Sequence, residues 1–143
     1  FGWLHKLAND EKLGLPIIHH PAYSGGFVSP GVSGIADYLQ LGLLPRIFGA
    51  DMPIFVSYGG RFTFTVEQCK RISSYIKHPF GLMKAACPAP GGGVTDARLN
   101  ELVELYGNDT MFLVGGDMFR RGPDIEANMA YFVERLNTLS TNN

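Results

Sequence analysis

The chain has 143 residues, a formal net charge of −1 and a hydrophobic content of 45%. That length suits one domain, residues 1–143, with enough apolar side chains to bury a core. The near-neutral charge and the lack of long lysine or arginine runs give no electrostatic reason to expect nucleic acid or a membrane as partner.

The sequence is typical of a cytoplasmic protein. No apolar stretch approaches the roughly 20 residues of a membrane span, and no signal-peptide pattern is present. Cys69 and Cys87 are the two cysteines. In that compartment we expect two buried thiols rather than a disulfide.

Four short apolar runs alternate with helical patterns along the chain. They occupy residues 15–19, 53–57, 81–86 and 111–114 and are too short for helices. A loop rich in glycine and proline, residues 24–34, follows the first run. Helices between apolar runs indicate right-handed crossovers between parallel strands. The pattern therefore predicts an α/β fold of four consecutive parallel βα units.

Helices are predicted from apolar residues at helical spacing. Ile35, Tyr38 and Leu39 mark the first, and Thr65 with Gln68 forms a capping box that starts the second. The stripes predicted for the next three helices are Cys69, Ile72 and Ile76, then Leu99, Leu102, Val103 and Tyr106, then Ile125, Met129, Phe132, Val133 and Leu136.

The ends of the last two helices also carry signals. Thr95 is predicted to cap the third helix, and Gly107 is a suitable stop after it. Pro123 suits the first position of the fourth helix. Four parallel strands cannot close a barrel, so such a sheet needs a missing half, a second chain or a rearrangement to cover its edges and inner face.

Two glycine clusters give the strongest local signal. Gly91, Gly92 and Gly93 follow the third apolar run, and Gly115 and Gly116 follow the fourth. Bare backbone between a strand and a helix presents free N–H groups to an anion. The alternative is that the glycines only make tight turns. Two clusters on successive units favour an anion site and resemble the phosphate grip of a (β/α)₈ barrel.

Histidine and arginine residues stand near the same predicted edge of the sheet. His19 and His20 end the first run, and alternation places their side chains on opposite faces. A histidine there serves either a ligand oxygen or a structural hydrogen bond. Arg61 follows the second run as a donor for an anion or as a solvated loop residue. Asp117 follows the last glycines and is predicted to cap its own turn.

The order of these motifs resembles the C-terminal half of a RuBisCO-like protein, the type IV branch of the RuBisCO large-subunit superfamily. The resemblance is carried by residues 20–22, 58–62, 88–93 and 114–117 and spans essentially the whole chain. It implies strands 5 to 8 of a TIM (β/α)₈ barrel with their helices.

Three departures from true RuBisCO follow from the same resemblance. Pro21 stands where RuBisCO has a phosphate-binding arginine, Arg61 where it has a catalytic lysine, and Gly91 where it has a serine. These differences argue against carboxylation of ribulose bisphosphate.

The resemblance implies an enolase or isomerase of a phosphorylated ketose or diketone, such as 2,3-diketo-5-methylthiopentyl 1-phosphate in methionine salvage. The two glycine clusters would hold the substrate phosphate. His20 would lie beside the reacting carbon skeleton, and Arg61 would belong to a closing loop.

The resemblance also implies Mg²⁺, held by residues of a strand that is not in this chain, and a neighbouring subunit that completes the site. The chain alone is then not expected to be catalytic. Its partners would be a phosphorylated small molecule and either a second copy or the missing barrel half. The alternative function is a stand-alone half-barrel that dimerises and binds phosphorylated metabolites without catalysis.

Overall fold

The computed structural model of the chain describes residues 1–28 and 34–141, so the predicted loop over residues 24–34 lies partly outside them. Among these residues no helix is both long and apolar enough to cross a membrane. The helices described are α1 (Gly2–Ala8), α2 (Gly25–Val28), α3 (Leu44–Ile47), α4 (Val66–Lys77), α5 (Leu99–Tyr106), α6 (Gly116–Arg120) and α7 (Ile125–Thr141), with a π-helical turn at Tyr38–Leu43 before α3 and a 3₁₀ turn at Asp96–Arg98 before α5.

The described strands form a parallel sheet. β1 (Ile18–His19), β2 (Met52–Val56) and β3 (Ala89–Gly91) lie side by side in that order, and both pairings are parallel. Helical crossovers connect them, as parallel neighbours require. The predicted α/β fold with a parallel sheet is therefore confirmed.

The two faces of β2 differ in burial. Pro53 and Phe55 are buried, whereas Met52, Ile54 and Val56 are half-buried, as the alternation of strand side chains requires. The core cluster around Phe55 consists of Leu41, Cys69, Ile72, Ile76, Val94, Leu99, Leu102, Tyr106 and Phe132. Helices thus cover one face, and the other face presents apolar side chains that the described residues cover only in part.

The apolar stripes predicted for α4 and α5 are confirmed, because every residue assigned to them is buried. Cys69 lies in the α4 stripe, where burial raises its pKa to about 11 and keeps the thiol protonated. Cys87 is half-buried. Both cysteines are free in the part of the chain that is described, but of the two buried thiols predicted only Cys69 is buried.

The capping box at the start of α4 is also confirmed. Thr65 Oγ1 accepts the N–H of Gln68, and Gln68 Oε1 accepts the N–H of Thr65. α5 ends at Gly107, whose φ of +77° is a left-handed conformation that favours glycine. These local signals require no tertiary information, which is why the sequence alone predicts them.

The last helix departs from its prediction. Asp124 accepts the N–H of Ala127 and caps α7, so Pro123 precedes the cap instead of opening the helix. Of the predicted stripe, Phe132 is buried, but Ile125, Met129 and Val133 are 41%, 46% and 49% exposed. The prediction is wrong at these three positions because the described elements pack against only the Phe132 side of α7.

The third strand lies later than predicted. Residues 81–86 are not a strand: Gly81 has a φ of +57° in a turn, and Leu82 is fully exposed. Pairing with the β2 side begins at Cys87, whose N–H donates to Asp51 O at 2.9 Å. The apolar residues of this turn have the composition of a strand, which is why the sequence predicts a strand there. The true strand contains Pro90 and follows Pro88, and proline argues against a strand in a sequence.

The fourth predicted strand forms a single parallel bridge among the described residues, Gly91 with Leu113. Met111 N–H donates to Pro88 O at 2.9 Å, and Leu113 N–H donates to Pro90 O at 3.1 Å. The return bonds of a parallel ladder would need N–H groups at both prolines, and proline has none. Pro88 and Pro90 therefore cannot return the bonds that their carbonyls accept.

A buried arginine fixes the chain where α4 leads to β3. Arg46 is 6% exposed and donates to the carbonyls of Tyr75, His78 at 2.9 Å and Lys84 at 2.8 Å. Two of these carbonyls belong to the end of α4, where backbone acceptors lack helical partners. Burial lowers the pKa of Arg46. Lys84 itself is exposed and lies in the connection rather than in a strand.

We expect Thr65→Ala to lower the free energy of unfolding by about 1 kcal/mol, because it removes the capping bond to the N–H of Gln68. Urea unfolding measures the change. Thr63→Ala is the matched control, since Thr63 is exposed and its side chain forms no hydrogen bond within the described chain. An equal loss in both variants would contradict the capping role.

Candidate functional site

The residues singled out in the sequence lie at one edge of the sheet, most of them in loops, although Gly91 is the last residue of β3 and Gly116 the first of α6. His20 follows β1, Arg61 lies in the loop after β2, and Gly92 begins the loop after β3. Gly115 follows the segment that pairs with β3 through Leu113. Parallel strands end at the same edge, and in α/β proteins that edge is where ligands bind.

The loops after β2 and β3 touch backbone to backbone. A Cβ placed on Gly60 would lie 2.9 Å from Gly92 C and 3.0 Å from Gly93 N. A Cβ on Gly93 would lie 2.9 Å from Gly60 N. No side chain fits in either position without moving backbone, so glycine is required on both sides of the contact.

Arg98 fastens the same two loops. Its Nη1 donates to Tyr58 O and to Gly93 O, both at 2.9 Å, and its guanidinium lies 4.5 Å from the centre of the Tyr58 ring. Glu101 Oε1 accepts from Arg98 Nη2 at 3.1 Å and also from the Tyr58 hydroxyl. Arg98 cannot be recognised from the sequence, because its partners are backbone carbonyls that leave no pattern there.

The glycine clusters differ in conformation. Gly92 and Gly93 have φ values of +82° and +70°, where glycine avoids the strain that a side chain would cause. Gly92 is exposed, and a Cβ there would meet no atom of the described residues within 4 Å. Gly115 is also exposed, and a Cβ there would likewise meet no described atom within 4 Å, but its φ is −112°. The openings beside Gly92 and Gly115 leave room for a ligand.

Asp117 connects the two glycine loops. Its Oδ2 accepts the N–H of Asp96 at 2.9 Å, at the start of the 3₁₀ turn that leads into α5. Among the described residues, Thr95 forms no side-chain capping bond, so its predicted role is wrong. The prediction that Asp117 caps its own turn is also wrong. Its partner is the N–H of Asp96, so it caps the 3₁₀ turn that follows β3 in the chain.

Asp96 is the centre of a polar cluster between α5, α6 and α7. Its carboxylate accepts from Tyr131 Oη at 2.8 Å and Arg135 Nε at 3.2 Å, and Arg121 Nη1 lies 3.9 Å away. The Tyr131 hydrogen bond is the main cause that lowers the pKa of Asp96, and Arg135 adds to it. Arg121 also stacks 3.5 Å from the centre of the Tyr131 ring, so it has a structural partner.

The histidines after β1 occupy different surroundings. His19 pairs in register with the buried Pro53, and its ring stacks on Phe1 with the centroids 5.8 Å apart. Burial lowers the pKa of His19. His20 is exposed. Arg61 is exposed as well, and it forms no ion pair within residues 1–28 and 34–141.

The comparisons with curated proteins and with solved structures agree with each other. No family model matches the chain. A ribulose bisphosphate carboxylase-like protein of Rhodopseudomonas palustris is 35% identical over 90% of this chain and 33% of its own length. A 5-methylthioribulose-1-phosphate isomerase of Rhodospirillum rubrum is 32% identical over 86% of this chain and 31% of its own. A 2,3-diketo-5-methylthiopentyl-1-phosphate enolase of Exiguobacterium sibiricum is 33% identical over 79% of this chain and 28% of its own length.

Solved structures give the same result. A Rubisco-like protein from Rhodopseudomonas palustris matches 93% of this chain and 33% of its own with a TM-score of 0.76 and 34% identity. A rubisco-like protein from Alicyclobacillus acidocaldarius matches 97% of this chain and 35% of its own with a TM-score of 0.88 and 28% identity.

The chain is a parallel α/β protein, and its loops meet at the carboxyl edge of the sheet. The relatives are RuBisCO-like proteins, and the chain corresponds to a C-terminal part of the RuBisCO-like fold. It spans about a third of the length of the curated relatives that it matches. The family recognised from the sequence motifs is thereby confirmed.

Asp96 generates a prediction about pH. Because its pKa is lowered in the folded chain, its contribution to the free energy of unfolding is present above the unfolded-state value of about 4 and is lost as the pH falls through the lower folded-state value. Asp96→Asn keeps an acceptor oxygen but cannot ionise. We therefore expect the difference from the wild type to be largest near neutral pH and to shrink in acid.

Urea unfolding at a series of pH values measures this difference. Asp109→Asn is the control, because Asp109 is exposed and forms no ion pair in the described part of the chain. Parallel pH curves for the wild type and Asp96→Asn would show that the Asp96 cluster contributes nothing through its charge.

Proposed function

We propose that this chain supplies the phosphate-binding loops of a RuBisCO-like enolase or isomerase, as strands 5 to 8 of its TIM barrel. One observation carries the proposal. The loops after β2 and β3 are in backbone contact at Gly60 and Gly93. Open space lies beside Gly92 and also beside Gly115, at the same edge of the sheet.

The named relatives support a substrate class. One is a 5-methylthioribulose-1-phosphate isomerase and another is a 2,3-diketo-5-methylthiopentyl-1-phosphate enolase. Both names specify a single phosphate on a small carbonyl compound, which is the kind of anion that backbone N–H groups at glycine loops bind. We propose a phosphorylated ketose or diketone of this methionine-salvage type as the substrate.

Each predicted residue has a role in the proposal. The N–H groups of Gly92 and Gly93 and of Gly115 and Gly116 hold the phosphate and fix the position of the carbon chain, whereas Gly91 is the last residue of β3 and pairs with Val56. Because these donors are already oriented by the packed loops, binding requires little reorganisation. His20, exposed at the end of β1, is suited to hold or move a proton beside the substrate carbonyl.

Arg61 belongs to the part of the site that closes. It lies exposed in the loop after β2, next to the glycine contact made by Gly60. An arginine there can donate two hydrogen bonds to an anionic group once substrate is bound. Closure of this loop would exclude water from the reacting atoms.

Magnesium is proposed for the family rather than for these residues. A divalent cation would stabilise the negative charge of an enolate oxygen. The described residues contain no group of three or more metal-ligating side chains, so they do not fit such a site. We therefore derive no step of the reaction through a metal.

The exposed sheet face favours a second candidate, a half-barrel that dimerises and binds phosphorylated metabolites without catalysis. Ile18 is 52% exposed, and Ile54 and Val56 on the neighbouring strand are only half-buried. If a second copy covers this face, sedimentation of the purified chain will give one stable species of twice its mass. Concentration-dependent higher aggregates would instead indicate an inner face made for the rest of a barrel.

The phosphate site is tested by Gly115→Val. A side chain at Gly115 meets open space, so the variant should fold, but it fills the opening where phosphate would lie. We expect at least about tenfold weaker binding of inorganic phosphate, or about 1.4 kcal/mol, measured by phosphorus NMR titration. The thermal midpoint should change much less.

Gly2→Val is the matched control, because a Cβ on Gly2 also meets no described atom within 4 Å and lies in α1. Parallel losses of phosphate affinity and thermal stability in Gly115→Val would mean that the glycine serves only the turn. Failure of the wild-type chain to bind phosphate would overturn the proposed function.

A further inference from the structure

We infer that Arg98 is a positioning residue for the phosphate site, through which an anion bound at Gly92 and Gly93 also orders the loop that carries Arg61. This inference rests on the proposed function and deepens it. It assigns to one side chain the coupling between the part of the site that binds phosphate and the part that closes.

The guanidinium of Arg98 lies between the two loops. Arg98 Nη1 would lie 2.7 Å from a Cβ on Gly59 and 2.9 Å from a Cβ on Gly93, so it is in contact with both loops. It donates to one carbonyl in each, Tyr58 O and Gly93 O. The side chain is 21% exposed, which limits competition from water for these bonds.

These hydrogen bonds fix the orientation of one peptide group in each loop. In a trans peptide the carbonyl and the N–H of the next residue point in opposite directions. Holding Tyr58 O therefore sets the direction of the Gly59 N–H, and holding Gly93 O sets that of Val94. Arg98 thus orients one peptide plane in each loop, and the Gly60–Gly93 contact prevents the loops from rotating separately.

This arrangement requires the chemistry of an arginine side chain. A planar guanidinium donates several hydrogen bonds in fixed directions and stacks on an aromatic ring. Here it does both, with the ring of Tyr58 at 4.5 Å and Glu101 as an additional acceptor. Because Tyr58 also donates to Glu101, the arrangement closes on itself and holds the arginine in one orientation. A lysine ammonium cannot reproduce it.

The consequence is reciprocal coupling. An anion that binds the Gly92–Gly93 loop stabilises the arrangement held by Arg98, and this arrangement includes the backbone at Tyr58 and Gly60. Ordering the loop after β2 in turn favours anion binding by the same factor. Without Arg98, phosphate can still approach the glycines, but its effect should stop at that loop.

Hydrogen exchange of the full chain, with and without inorganic phosphate, tests this coupling. In the wild type we expect phosphate to slow exchange in residues 91–95 and also in residues 58–62. In Arg98→Met and Arg98→Lys we expect the effect on 58–62 to disappear and phosphate binding to weaken about tenfold. A side chain that only stabilised the fold would lower the thermal midpoint without abolishing the phosphate-dependent change at 58–62.

Arg71→Met is a closely matched control. Arg71 lies 4.6 Å from the centre of the Tyr38 ring and 3.2 Å from Asp37 Oδ1, so it is also an arginine stacked on tyrosine and paired with a carboxylate. It bonds to neither glycine loop. We expect this variant to keep both phosphate effects.

Gly60→Ala provides a second route if Arg98→Met fails to fold. Its Cβ would force the loops apart while Arg98 stays in place, and the change at residues 58–62 should again be lost. Wild-type-like protection of 58–62 in Arg98→Lys or Gly60→Ala overturns the inference while leaving the phosphate site intact. No phosphate binding by the wild type overturns the proposed function and this inference together.

Discussion

The contact between Gly60 and Gly93 sets the geometry of the whole carboxyl edge of the sheet. Each backbone occupies the space where the other residue's side chain would stand, so neither loop can shift alone. Arg98 reinforces the contact with one carbonyl bond to each side. Asp117 then ties the next loop to the start of α5 through Asp96. Three successive loops are thereby held as one surface.

Packing behind the sheet makes this arrangement possible. Phe55 at the centre of β2 packs edge to face against Tyr106 of α5 with the ring centroids 5.7 Å apart, and Ser57 Oγ lies 3.0 Å from the Tyr106 hydroxyl. These buried contacts set the end of β2 relative to α5, which carries Glu101. Arg46 does the same for the approach to β3 by binding carbonyls on both sides of the turn. The loops keep fixed positions because the residues at their ends make buried contacts.

The sequence predicts what depends on near neighbours. The capping box at Thr65, the stop at Gly107 and the buried stripes of α4 and α5 follow from spacing alone, and all are present. Arg98 could not be predicted, because it bonds to a carbonyl 40 residues away and to another in a loop. Residues 81–86 are predicted as a strand from their apolar composition. They form a turn instead, because strand formation also depends on burial and on neighbouring strands. The family resemblance identified the loops but not what connects them.

Pro88 and Pro90 have a consequence for how the molecule opens. The segment around Met111 and Leu113 donates to their carbonyls and receives no bond from either proline. It pairs with β3 through one bridge, whereas β2 pairs with β3 at three positions, so it is attached more weakly. Local unfolding begins where such bonds are fewest. We expect the last βα unit, from residue 109 onward, to detach first and as a cooperative block. Any anion held by Gly115 would oppose that detachment, so ligand would stabilise the part of the chain with the fewest hydrogen bonds to the sheet.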